Sequence, residues 1–545
     1  MRQDPDVTRD FQEALDKFPH FKRYVDEVTP EHGQPEFQPE LDGDAHKQDE
    51  INLIYPVGDP IFIHILEKPG DLQTKYNVIE PELTDEEEEL YNKVVDRLVD
   101  LAYKKPVPDE ITEAEPVLKD LLQESTIVGK KQGGTVQEYV NPKIELTQDQ
   151  YEKIEYFLIR NRVGYGKLEP LFYDPHLEDI HCTGVGNITA IHEVFDMIHS
   201  DLIFENDKEL NSYIEDVTER VERPASDAQP VVDAIMPDGS RSNFIYGRDI
   251  SLEGSSFTVR KFSEEPLSVT QIIKWDTFTP EMGGYLWLAL EHGMNLFVCG
   301  ETASGKTTTL NAISAFIKPD AKVYTVENTP EVTMPHPVWQ HLVTREAGKE
   351  SDVTYMDLLV AALRSRPDYI IVGEIREEEG NIAFQAMQTG HPVMSTFHAG
   401  DVRTMIQRIT GEPINVPITF VDNLNLVLIQ QAVYRGTEFV RRVLSLTELE
   451  RYYAPDNEIV RREVFSWDSE NDDHIFRGMF NSYILEQKIA KILGYTDPRR
   501  IYDEMDLRAK ILRRMIEEDI LDYFEVWEVI KQFHSGGVKN LPFEL

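Results

Sequence analysis

Residues 295–310 read NLFVCGETASGKTTTL, and this stretch constrains the fold more than any other. Its apolar residues 296–299 fit a buried strand. Gly300, Glu301, Thr302, Ala303, Ser304 and Gly305 form a short loop, and a helix opens at Lys306, ahead of Thr307 and Thr308. The spacing is G-x-x-x-x-G-K-[ST]. Glycine at 300 and 305 permits backbone conformations that a β-carbon would penalise. Successive N–H groups then point inward and cradle phosphate oxygens, helped by the positive end of the following helix. Lys306 supplies a point charge for β- and γ-phosphates, and the Thr307 hydroxyl is a ligand for Mg²⁺. The residues therefore predict a nucleoside triphosphate site on a strand–loop–helix unit.

A length of 545 residues suggests two to four domains. The formal net charge of −44 sets the surface against nucleic acid and anionic lipid. Two causes of that charge stay open: a basic partner surface, or a high-salt cell interior in which acidic proteins remain dispersed. The two cysteines, Cys182 and Cys299, are too few for a four-thiolate zinc site, and Cys299 reads as a small core residue. The first residues lack the apolar segment of a signal peptide, and no run of 18 apolar residues occurs. A cytoplasmic protein with only peripheral membrane contact is expected.

Along the chain, residues 1–50 are acidic and proline-dotted. They read as a partly disordered arm, with a short amphipathic helix over 11–28 and a flexible linker after it. Residues 51–68 read as a hairpin, broken at Val57-Gly58-Asp59-Pro60. Thr84-x-x-Glu87 and Thr147-x-x-Gln150 are capping boxes that open helices. With further strands and a helix near 207–222, residues 51–262 form an expected α/β N-terminal domain. Residues 263–268 serve as linker, and 269–545 as the domain that carries the phosphate loop. From 269, helices alternate with short β runs at 296–299, 323–326, 369–372 and 393–397, which predicts a parallel sheet with crossover helices. Phosphate belongs at the carboxyl ends of such strands. Runs near 426–429, 439–446 and 463–467 look like an antiparallel extension, and the last hundred residues look helical, with Leu512, Met515, Ile516, Ile520, Tyr523, Phe524, Trp527 and Ile530 as a packed face.

Chemistry-bearing residues follow three of the strands. The run 323–326 leads into Glu327-Asn328-Thr329-Pro330-Glu331, two carboxylates four apart. Either could orient or deprotonate an attacking water; a plain acidic turn would look the same. The run 369–372 leads into Gly373-Glu374-Ile375-Arg376, an apolar strand ending in an acid, suited to Mg²⁺ held through water. His398 leaves the run 393–397 at the same sheet edge, within reach of a γ-phosphate. In the N-terminal domain, Arg241, Arg248 and Arg260 read by themselves as solvated arginines on strands.

GETASGKT, ENTPE, GEIRE and TFHAG, in this order and spacing, resemble the type II/IV secretion ATPase superfamily, in which they are the Walker A, Asp box, Walker B and His box. The resemblance is strongest over 284–411. It implies a RecA-like P-loop NTPase domain, ATP with Mg²⁺, and an ATPase that forms homo-hexamers. It implies that Lys306 and Thr307 bind phosphate and metal, that Glu331 is the catalytic carboxylate with Glu327 supporting it, that Glu374 is the Walker B acid at the metal, and that His398 senses the γ-phosphate. Arg241, Arg248 and Arg260 become candidates for an arginine that reaches a nucleotide across the chain or across a subunit interface. Asn328 departs from the aspartate that many relatives carry, and Gly-Glu replaces the usual strand-end aspartate of Walker B. The missing tetracysteine module, with IYPVGDPIFIHI and GYGKLEPLF, looks like the archaeal branch and is most similar to the archaellum motor ATPase. That implies action through a polytopic membrane platform protein and other filament-machinery subunits, without direct nucleic-acid contact. An archaeal type IV pilus assembly or secretion ATPase is the alternative. A conjugation-type DNA transport ATPase and a non-hydrolysing ATP-binding scaffold are more distant ones.

Overall fold

The computed structural model describes residues 7–43, 45–48, 50–70, 73–103, 105, 114–129, 143–261, 266–345, 351–435 and 438–545. The chain divides into two compact units, Met1–Ser263 and Glu264–Leu545. Of the expected linker, residues 263–265 lie outside the described residues. From its end, the Ser268 hydroxyl caps the helix Val269–Lys274 by accepting from Gln271 N–H.

The second unit is built on a sheet whose strands run, in spatial order, Trp339–Val343, Val323–Glu327, Tyr369–Ile375, Val393–Phe397, Leu296–Gly300, Leu426–Arg435, Glu438–Tyr453, Glu458–Asp468 and Asp473–Phe476. The first six are parallel and the last three antiparallel. Inside the edge strand Trp339–Val343, the parallel strands are largely buried on both faces, so their residues sort by alternation into two cores. Leu296 and Val298 join Leu310, Ile371 and Leu428 on one face. Phe297 and Cys299 join Val372, Phe397 and Val427 on the other. Burial pushes the Cys299 thiol well above its ordinary pKa, as befits a core residue.

Two expectations for this unit need correction. The run near 426–429 belongs to the parallel set, because it pairs with Leu296–Gly300; the antiparallel extension starts one strand later. A strand buried between two neighbours looks the same in sequence whichever way its partners run. The extension also reaches Phe476, so helix begins only beyond it, near Ile484. In the C-terminal face, Leu512, Met515, Tyr523 and Ile530 are buried, but Phe524 is exposed.

The first unit has its own sheet, ordered Glu36–Phe37, Ile51–Gly58, Ile61–Glu67, Thr74–Ile79, Asp196–Phe204, Gly186–His192, Leu177–Cys182, Ser256–Arg260, Arg241–Ile245 and Val231–Ile235. The expected hairpin is present, and both capping boxes close as reciprocal bonds, at Thr84 with Glu87 and at Thr147 with Gln150. The helix Asp207–Arg220 buries Leu210, Ile214 and Val217 in the main core.

The described part of 1–50 is not a flexible arm. Helices Phe11–Lys17 and Pro19–His32 set Ala14, Phe21 and Val25 against Ile54, Phe62 and Ile79, and Phe21 stacks on Phe62 at 4.2 Å. Glu36–Phe37 then adds a short parallel strand to the hairpin. The amphipathic helix expected over 11–28 is present as two helices, and its apolar side docks the segment on an apolar hairpin face.

Beneath these helices, His64 is buried and neutral. Tyr24 OH lies 2.9 Å from its Nδ1, and its Nε2 lies 2.9 Å from Asn52 Oδ1. Burial lowers its pKa to about 4. Between pH 6.5 and about 4 the unfolded chain therefore binds a proton that the folded unit refuses, so stability falls as pH falls through this window. His64 alone should remove about 3 kcal/mol by pH 4, and a His64→Gln variant should show a flatter loss over the same range when unfolding is followed against pH.

Candidate active site

In the sheet order, Val393–Phe397 stands between the phosphate-loop strand and Tyr369–Ile375. His398, at its end, is thereby brought between the lysine turn and the acid of the neighbouring strand. The whole cluster lies at the carboxyl edge of the parallel strands, where the loops from one strand end meet those from the next.

The loop has the strained geometry that its spacing requires. Gly305 takes φ 83° and ψ 26° as it caps the helix Lys306–Ser314, and Ala303 also has positive φ. At Gly300 a β-carbon would lie 2.2 Å from the Gln430 carbonyl oxygen. Ser304 Oγ and Lys306 Nζ both donate to the Glu301 carbonyl, at 2.8 and 2.7 Å. Lys306 is only 9 % exposed, and burial lowers its pKa against the pull of Glu374, Cys299 and Glu331.

The two Asp-box carboxylates have different environments. Thr307 Oγ1 donates to Glu331 Oε2 at 3.0 Å, and Asn311 Nδ2 donates to the Glu331 carbonyl at 2.8 Å. Glu331 is thus beside the Thr307 hydroxyl. Glu327, 2 % exposed, faces inward: its Oε1 accepts from Glu331 N–H (2.9 Å) and Val332 N–H (3.0 Å), and its Oε2 sits 2.7 Å from His341 Nε2. It holds the backbone that carries Glu331, which makes it a positioning residue in this geometry. Asn328 is also structural, with its N–H on Tyr355 OH and its Oδ1 accepting from Thr344 Oγ1.

The Gly-Glu departure in the third motif has a local cause. Tyr369–Ile375 carries an irregularity between Val372 and Glu374, so Gly373 is skipped and Glu374 pairs with Thr396. A β-carbon at Gly373 would lie 3.0 Å from Glu327 Cγ, so glycine makes room for the buried carboxylate. Glu374 Oε2 accepts from Arg376 Nε at 2.7 Å. His398 Nε2 lies 2.8 Å from Glu374 Oε1, an ion-pair distance, although that oxygen has no aligned hydrogen bond. Burial and then Lys306 lower the His398 pKa, while Glu374 opposes them. Arg408 donates to the His398 carbonyl and lies over Phe397.

Several contributors were not singled out from sequence. Arg376 was quoted only within GEIR; two residues past Glu374, it emerges on the same side of the strand. His341 and Gln430 had no local signal, since their parts come from strand register. In the first unit, Arg241 and Arg260 are direct cross-strand neighbours, and Arg260 pairs with Asp179 at 3.1 Å. Arg248 lies off the strands, beyond the other end of Arg241–Ile245, and is held by Asp207 through Nε at 2.9 and 2.8 Å. The three do not form one group.

The donor set fits Mg²⁺. Thr307 and Glu374 present hard oxygen donors, and Mg²⁺ in triphosphate sites takes one or two protein oxygens beside phosphate and water. A dedicated cage is not needed, and among the described residues no group of three or more His, Cys, Asp or Glu is placed to hold a metal.

A family model described as "Type II/IV secretion system protein" matches residues 167–462, across both the phosphate-loop motifs and part of the first unit. The chain belongs to this type II/IV secretion family. An uncharacterized protein of Methanocaldococcus jannaschii is 50 % identical over 544 residues, covering 98 % of each chain. The type IV secretion system protein VirB11 of Bartonella quintana is 25 % identical over 220 residues, covering 34 % of this chain and 62 % of that one. The ATPase DotB of Legionella pneumophila aligns with a TM-score of 0.39 at 18 % identity, over 70 % of this chain and 92 % of that one. Among the described residues, no helix of this secretion-family chain is long and apolar enough to cross a membrane.

Proposed function

We propose that the protein is an ATPase that drives a membrane-bound filament or secretion machine. One observation carries this: Lys306, Thr307, Glu331, Glu374 and His398 meet at one edge of the parallel sheet, with Thr307 and Glu331 in direct contact. The loop N–H groups and Lys306 bind the β- and γ-phosphates, and Lys306 exchanges the Glu301 carbonyl for phosphate oxygen. Glu331 orients the attacking water and accepts its proton. Glu327 and His341 keep that carboxylate in place, and His398 contacts the γ-phosphate from the strand between lysine and acid. Thr307 and, through water, Glu374 would hold Mg²⁺, which would supply charge neutralisation at the phosphate oxygens.

The family resemblance supports a homo-hexamer with an arginine supplied from the first domain. Arg241, Arg248 and Arg260 are the candidates; Arg248 is engaged by Asp207 and Arg260 by Asp179, so either would exchange its carboxylate for phosphate. The same resemblance supports peripheral action at the inner face of the cell membrane through a platform protein, with 51–262 and 269–545 as the moving domains about the 263–268 linker. An archaellum motor and a type IV pilus or secretion ATPase fit the site equally. Deleting the gene and scoring swimming against surface adhesion separates them.

Phosphate release from Mg-ATP by the purified protein tests the core of this reading. Lys306→Ala should lower turnover by about 10²–10³-fold through loss of a preorganised charge at the phosphates. Turnover unchanged in Lys306→Ala would refute it.

A further inference from the structure

Gln430 lies against the phosphate loop and has no part in the mechanism above. It stands on Leu426–Arg435 and pairs with Gly300, the last residue of the loop strand. Its side chain reaches the other end of the loop: Nε2 lies 3.0 Å from where a β-carbon on Gly305 would be. The sheet is irregular at this point, since Ile429 pairs with Ser445 but Gln430 with Val443, leaving Leu444 unmatched. Such bulges re-aim side chains. From the next strand Arg441 Nε donates to the Ala303 carbonyl at 3.3 Å, so two neighbouring strands support the loop from one side.

Gln430 is 2 % exposed, and among the described residues its amide oxygen has no hydrogen-bond partner. A buried carbonyl without a donor forfeits the bond that water gave it in the unfolded chain, and folded proteins keep few such groups. The nitrogen of the same amide lies against the loop backbone at Gly305, which sets the oxygen beside the loop.

We infer that Gln430 is a positioning residue for the phosphate loop, and that its amide oxygen accepts the missing hydrogen bond from a loop N–H when a triphosphate is bound. It thereby ties loop occupancy to the strand that leads into the antiparallel extension. This rests on the ATPase reading above.

The test uses the full-length protein, with Mg-ATP affinity measured by titration and stability by thermal unfolding. Gln430→Met keeps the side-chain volume but removes the amide. Without nucleotide its unfolding midpoint should equal or exceed that of the parent, since an unpartnered buried carbonyl has gone. Its affinity for Mg-ATP should nevertheless fall about tenfold, the size of one lost hydrogen bond. A residue with only a packing role would give the reverse: lower stability without nucleotide and unchanged affinity. That result overturns the inference, as does affinity within twofold of the parent. If the methionine variant does not fold, Gln430→Asn carries the test, because it withdraws the amide by one methylene and should also weaken Mg-ATP binding; unchanged binding there is equally fatal. A parent protein that does not bind Mg-ATP overturns the ATPase reading together with this one, whereas a binding parent and an unaffected variant overturn this one alone.

Discussion

Glu331→Gln should lower ATP turnover by about 10²–10⁴-fold, the usual worth of a positioned general base. Affinity for ATP should stay within about threefold, because the phosphates are held by the loop and Lys306 rather than by this carboxylate. The substitution is nearly isosteric. Its amide oxygen still accepts from Thr307 Oγ1, and the main chain remains held by Glu327 and Asn311. What is lost is the capacity to take a proton from water. Steady-state phosphate release, paired with an ATP-binding titration, separates these effects. Turnover within threefold of the parent would remove Glu331 from the chemistry and transfer the role of base to another group.

Glu327→Ala should be the most destabilising change at the site, with a loss of about 3–5 kcal/mol. The carboxylate is buried, and one oxygen receives two backbone N–H groups while the other faces His341. Truncation leaves two buried donors and an imidazole without a partner, together with a void. Turnover should fall as well, because the turn carrying Glu331 loses its anchor. Glu327→Gln should be milder. Its amide oxygen can still accept the two N–H groups, and the amide nitrogen meets His341, whose ring can change tautomer to accept. Urea unfolding of both variants checks the order; equal stability of Glu327→Ala and parent would show that the turn holds itself.

The motifs were legible because each is contiguous. In GETASGKT the glycines, the lysine and the threonine act through backbone positions that neighbouring residues dictate, and the alternation of Leu296, Phe297, Val298 and Cys299 already sorted the strand's two faces. Strand–loop–helix order then carried Glu331, Glu374 and His398 to one edge of a parallel sheet. The same reading missed the direction of Leu426–Arg435, because burial on both faces erases the mark of a parallel or an antiparallel partner. It also took the described part of 1–50 for an arm, since Phe21 and Val25 become a docking face only once Phe62 is opposite them.

The sequence alone thus determined the triphosphate loop, its acids and histidine, and the alternation of strand and helix that brings them together. Those features depend on near neighbours in the chain and on the period of each element. Only the tertiary structure decided that Glu327 is a buried strut, that Gly373 is skipped in the pairing to make room for it, that Arg376 is paired with Glu374, and that Gln430 lies against the loop with its amide oxygen unsatisfied. The Arg376 pair is local to one strand end; the others depend on register between strands apart in sequence, and a shift of one residue there would turn every side chain to the opposite face.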